Sequence, residues 1–134
     1  MGLIRSSKQV KQAVDFSGVQ NGVIHPSDID AVLEFGNKAL VLMEVKRKGN
    51  RIPTGQRLML ERIVDRWEMG VVLKVEHSFY DVDKDIPLVQ CFVTYYYSDK
   101  KWHECNVPVV KFLQELGEKW NISKLKQISW VKCN

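Results

Sequence analysis

Four side chains between Ser27 and Lys46 carry the chemistry this chain offers: Asp28, Asp30, Glu44 and Lys46. Glu44 and Lys46 stand two apart in Met43-Glu44-Val45-Lys46, at the end of an otherwise apolar run. On an extended strand such residues point to one face, about 6–7 Å apart along it. With a second carboxylate opposite, they form a cup of hard oxygen ligands beside an ammonium. Metal-assisted hydrolysis of a phosphodiester needs that set. Mg²⁺ keeps several waters and takes one or two protein carboxylates, while a cation orients the attacking water or holds the phosphate.

Which aspartate completes the cup depends on the turn at Phe35-Gly36-Asn37-Lys38. A two-residue loop, Gly36-Asn37, sets Phe35 against Lys38 and Asp30 against Met43, with the Asp30 side chain on the wrong face. A three-residue loop shifts the register by one and brings both Asp28 and Asp30 onto the Glu44 face. If the loop is 36–38, Asp30 opposes Glu44 with Cβ atoms about 5 Å apart; if it is 35–37, Asp28 does. The pattern therefore predicts a three-residue loop or a bulge, with the choice of aspartate open.

Several elements must position this hairpin. Ser6 or Ser7 can cap a helix through about Phe16, with Val10, Ala13 and Val14 inward and Gly18 ending it. Pro26 precedes a strand from about Asp28 to Phe35, and the second strand runs from Lys38 to Lys46. The second strand is apolar on both faces near the turn, as expected of a central strand covered by helices on both sides. A basic loop, Lys46 to Arg51, leads to a helix from Gly55 to Met69, with Thr54 as N-cap, Gln56 on its buried face and Gly70 as the C′ residue. Val71 to Glu76 reads as a strand parallel to the second, reached by that single helix. Leu88–Tyr97 and Trp102–Cys105 form a further hairpin, and Asn106 with Pro108 opens a helix bearing Val109, Phe112, Leu113 and Leu116.

The fold class read from this order is α/β, a mixed β-sheet flanked by helices in α-β-β-α-β order, with a C-terminal β-hairpin and helix. At 134 residues with 45% hydrophobic and 27% charged positions, one domain over 1–134 is expected, its core at about 6–77 and its C-terminal hairpin, helix and tail at 86–134. A net charge of +4 is compatible with a phosphate-rich partner. Cys91, Cys105 and Cys133 make neither a disulfide framework nor a zinc motif, which points to a reducing, cytoplasmic home. No run approaches 18 apolar residues, so no membrane association is expected. Asp81, Asp83 and Asp85 lack the glycine a calcium loop needs next, and His25, His77 and His103 are scattered. Tyr95-Tyr96-Tyr97 alternates across a strand as core and surface, with base stacking by an outward tyrosine as the lesser alternative.

Asp30, thirteen intervening residues, Glu44-Val45-Lys46 and a following helix with Gln56 resemble the PD-(D/E)XK nucleases, in particular small Holliday-junction-resolvase-like and phage-encoded endonucleases. The resemblance covers about residues 10–77. It implies a restriction-endonuclease-like core and catalytic roles for Asp30, Glu44, Lys46 and Gln56. The metal ligands would be Asp30, Glu44 and the Val45 carbonyl, with Asp28 the alternative aspartate. Lys46 would assist the attacking water. The cofactor implied is Mg²⁺ or Mn²⁺, the substrate DNA, branched or junction DNA above all, and the assembly a homodimer. Arg47, Lys48, Arg51 and Arg57 would contact phosphates at the mouth of the cup. Two features depart from the family pattern: the first helix offers only Asp15 where many members carry a glutamate, and Pro26 does not directly precede Asp28 or Asp30. The alternative is a catalytically silent nucleic-acid-binding or assembly module on the same fold.

Overall fold

The Val- and Leu-rich runs become the central strands of a five-stranded sheet. In a computed structural model, which describes residues 15, 17–21 and 26–129, the elements are β1 (Ala31–Phe35), β2 (Ala39–Arg47), α1 (Thr54–Val64), β3 (Met69–His77), β4 (Phe92–Ser98), β5 (Lys101–Pro108), α2 (Val109–Trp120) and α3 (Ser123–Lys126). The chain divides into two units, Met1–Asp28 with Trp130–Asn134, and Ile29–Ser129. In the first, the Ser17 N–H donates to the Asp15 carboxylate at 2.9 Å, and this partner lowers the Asp15 pKa. The expected helix from Ser6 or Ser7 to Phe16 lies outside the described residues except for Asp15.

The sheet order is β1-β2-β3-β4-β5, with β2 and β3 parallel and every other pair antiparallel. One helix, α1, makes the crossover between the parallel strands, as expected. Odd-numbered residues of β2 face α2 and α3: Val41 and Met43 pack with Val71, Leu73, Val75, Val93, Leu113 and Leu125. Even-numbered residues face α1: Leu40 and Leu42 pack with Val72, Leu60, Val64 and Tyr97. This is a mixed sheet flanked by helices.

Several boundaries differ from the sequence reading: β1 starts at Ala31 and not Asp28, β3 starts at Met69 and not Val71, and Thr54 is the first residue of α1, with Pro53 and not Thr54 in the cap position. Helix α1 ends at Val64, five residues before the expected Met69, although Trp67 continues its apolar spacing. Asp65 follows as the C-cap, still helical at φ −61° and ψ −20° with its N–H on the Glu61 carbonyl at 3.0 Å, and its carboxylate accepts from Tyr97 Oη at 2.9 Å and pairs with Lys100 at 3.0 Å. Gly70 is therefore a strand residue. A Cβ there would lie 2.4 Å from the Val64 carbonyl oxygen, so glycine serves close helix–strand approach and not a helix cap. Leu88–Gln90 forms a short 3₁₀ turn before β4, and β5 runs through Asn106 to Pro108, so α2 begins at Val109.

Candidate metal and nucleic-acid site

The β1–β2 turn has the three-residue loop that the carboxylate pattern predicts. Gly36 and Asn37 take positive φ (58° and 60°), and the Lys38 N–H returns to the Phe35 carbonyl at 3.0 Å. The ladder resumes only with Phe35 opposite Ala39, since the Lys38 carbonyl turns away to accept the Met69 N–H of β3 at 2.9 Å. Ala31 thus opposes Met43, and one further step sets Asp30 opposite Glu44. The loop is 36–38, the case that selects Asp30. Asp28 belongs to the other unit.

Asp30 lies just beyond the end of β1, and its carboxylate takes over from the missing ladder partner by accepting the Val45 N–H at 2.7 Å. In an antiparallel pair the N–H and C=O of one residue point to the same side, so the Val45 carbonyl is also turned towards Asp30. Glu44 is 3% exposed, its Oε1 3.7 Å from Lys46 Nζ, and its Oε2 is buried without a hydrogen-bond partner. Burial, then the Asp30 charge and a hydrogen bond to Asp30, push the Glu44 carboxyl up to about 7, against the opposing pull of Lys46 and the Gln56 amide. A buried Glu44 carboxyl thus meets an exposed Asp30 carboxyl, with one half-buried lysine and one amide beside them. Asp30, Glu44, Lys46 and Gln56 come together here, although Gln56 is 26 positions from Asp30 along the chain.

The donor set suits a hard divalent cation. Two carboxylates and a carbonyl are the sparse, all-oxygen set that Mg²⁺ or Mn²⁺ takes, completed by water. The buried, unpartnered Oε2 is the atom such an ion would satisfy. Among the described residues no group of three or more His, Cys, Asp or Glu is placed to hold a metal ion, so any ion here would rest on the two carboxylates with a carbonyl and water.

Sequence reasoning missed half of the polar face. In the parallel β2–β3 register Glu44 is matched by Lys74 and Lys46 by Glu76, so Glu-x-Lys on one strand lies beside Lys-x-Glu on the next. Lys74 Nζ pairs with Glu76 Oε2 at 2.9 Å and lies 5.3 Å from the Tyr95 ring centroid. Glu76 also accepts from Thr94 Oγ1 at 2.9 Å and from the Gly49 N–H at 3.3 Å. Burial acts to raise the Glu76 pKa, but Lys74, Thr94 and Gly49 outweigh it and leave the group below its ordinary value. Thr94 is the extra residue of a bulge in β4, where Lys74 pairs with Tyr95 but Val75 with Val93. That bulge aims its hydroxyl at Glu76. Matching charges across the two parallel strands was the available signal.

The four basic residues expected at the mouth of the cup divide. Arg51 and Arg57 line a cleft beside the N-terminus of α1 together with Lys74. Arg47, an odd-numbered residue of β2, projects from the opposite face, its guanidinium 5.2 Å from the Tyr80 ring centroid. Lys48 sits in the exposed turn after β2, where its N–H donates to the His77 carbonyl at 2.8 Å. Among the described residues no helix is long and apolar enough to cross a membrane. Comparison with models of protein families, with curated proteins and with solved structures finds no match to this chain.

Proposed function

We propose that this protein is a divalent-metal-dependent DNA endonuclease of the PD-(D/E)XK kind, acting on branched or junction DNA. One observation carries the reading: Asp30 faces Glu44 across a hairpin whose register admits that pairing, with a buried, unpartnered Glu44 oxygen and Lys46 beside it. A bound Mg²⁺ or Mn²⁺ would neutralise the two carboxylates and stabilise charge developing on the phosphate. Asp30, Glu44 and the Val45 carbonyl would hold it.

The chain's own groups account for the remaining steps. The Val45 N–H fixes one oxygen of Asp30 and leaves the other free to turn towards Glu44. Lys46, with its side chain 24% exposed, reaches from the buried Glu44 carboxylate towards solvent, where it can orient a water for in-line attack. The Gln56 amide favours the charged form of Glu44, the form able to bind a cation. Homodimerisation would supply the two sites that cutting two strands requires.

Cleavage of a four-way DNA junction in Mg²⁺ or Mn²⁺ tests the reading, with wild type beside Glu44→Ala and Lys46→Ala. Metal-dependent cleavage by wild type that both substitutions abolish supports it. Cleavage surviving both would refute it, and junction binding with no metal-dependent cleavage would favour a silent binding module.

A further inference from the structure

The cleft beside the carboxylates has the chemistry of a nucleotide subsite. It encloses about 250 Å³ between the start of α1 and the sheet, lined by Arg51, Thr54, Arg57, Lys74, Tyr95 and Trp102. Its two aromatic walls come from neighbouring strands: Tyr95 of β4 is 37% exposed, and Trp102 of β5 packs on Tyr97. Glu61 Oε2 holds one wall in place, accepting from Trp102 Nε1 at 2.7 Å and pairing with Arg57. Lys74 is tied to Glu76, while Arg51 is exposed at the rim. Cations that meet phosphate oxygens and aromatic faces that meet a base are the two elements of single-strand recognition.

The position of the cleft decides which nucleotide it would take. Lys74 belongs both to the cleft and to the Glu44 row, one strand spacing away, about 4.8 Å. Arg57 follows Gln56 directly in α1, so the same helical turn serves cleft and carboxylates. A base entering the cleft would sit next to a phosphate at Asp30 and Glu44. The cleft's volume, about 250 Å³, is on the scale of a single nucleotide. A base inside a duplex would have to leave its stack to enter, whereas an unpaired one enters without that cost.

We infer that the Arg51–Arg57–Lys74–Tyr95–Trp102 cleft binds one unpaired nucleotide next to the cleaved phosphate, so that the substrate carries a single-stranded arm at the cut. The inference rests on the nuclease reading for its register with the carboxylates. It adds what makes a branched substrate preferred.

The test is binding of a forked DNA with oligothymidylate arms against a blunt duplex of the same paired sequence, in EDTA so that metal occupancy plays no part. Wild type should prefer the fork by roughly tenfold, the scale of one base stacked on an aromatic side chain. Tyr95→Ala should remove that preference and leave blunt-duplex affinity unchanged, while Tyr95→Phe keeps it. Arg51→Ala, at the exposed rim, should weaken the fork more than the duplex and does not depend on the tyrosine's packing. No fork preference in wild type, or fork binding unaltered in both Tyr95→Ala and Arg51→Ala, would overturn the subsite. Equal losses on fork and duplex would overturn it too. Junction cleavage by Glu44→Ala separates the claims: if it is lost while Tyr95→Ala and Arg51→Ala both bind the fork like wild type, the subsite fails alone; if it persists, the nuclease reading fails.

Discussion

The two faces of this sheet, compared at one strand step, show what positions the site. On the face towards α2 and α3, Met43 and Leu73 are neighbours, 3% and 0% exposed, within a continuous apolar core. One residue further along the same strands, on the face towards α1, the neighbours are Glu44 and Lys74. The apolar layer on the α1 side stops at Leu42 and Val72, and beyond it the face is Glu44, Lys46, Lys74 and Glu76. Hydrophobic burial on one face holds the strands where the other face needs them. A carboxylate pinned there in a water-poor setting is costly to the fold and useful to a cation.

The comparison breaks most sharply at Glu44. Glu44→Ala should lower metal-dependent cleavage by about 10³-fold or more, the worth of several kcal/mol of metal charge stabilisation, with native circular dichroism retained. On the other face, Leu73→Ala should cost about 2–5 kcal/mol in denaturant unfolding and leave the cleavage rate of the folded fraction intact. Unchanged stability in Leu73→Ala would show that the α2 face does not anchor the site.

The pH dependence sharpens the contrast. Folding raises the Glu44 carboxyl from 4.5 to about 7, so the fold favours its protonated form. That contribution is complete below about 4.5 and is lost as pH rises through about 7. Glu44→Gln should therefore flatten the stability–pH profile between those values. A cation must displace the same proton, so Mn²⁺ affinity by calorimetry should climb by up to about tenfold per pH unit and level off above about 7. A pH-independent affinity would place the ion elsewhere. The smallest effect is expected at Arg47, on the far face over Tyr80: Arg47→Ala should change junction affinity by less than about twofold, within the range of a lost solvated charge.

Much of this was legible in the sequence where period-two alternation decides the outcome. Glu44 and Lys46 had to share a face, and joining Asp30 or Asp28 to them required a loop of three residues or a bulge. Strand geometry alone left the choice between the two aspartates open, and only the motif spacing of the resemblance favoured Asp30. The choice turns on the Lys38 carbonyl, which leaves the hairpin to bond with Met69, thirty-one positions away. The early end of α1 was not legible either: the apolar spacing runs on to Trp67, while the contacts at the helix end, Asp65 with Tyr97 and Lys100, come from a distant hairpin. Lys74 and Glu76 needed the parallel register, which a crossover helix sets and local spacing does not. The cleft draws its walls from Arg51 through Trp102, so no single window of sequence contains it.

The most direct measurement is anomalous diffraction from crystals soaked in Mn²⁺ at pH 8, above the raised Glu44 pKa. One peak is expected at about 2.0–2.2 Å from both an Asp30 oxygen and Glu44 Oε2, with the Val45 carbonyl completing the protein ligands. A peak bound elsewhere, or none while Asp30 and Glu44 remain face to face, would contradict the proposed metal site.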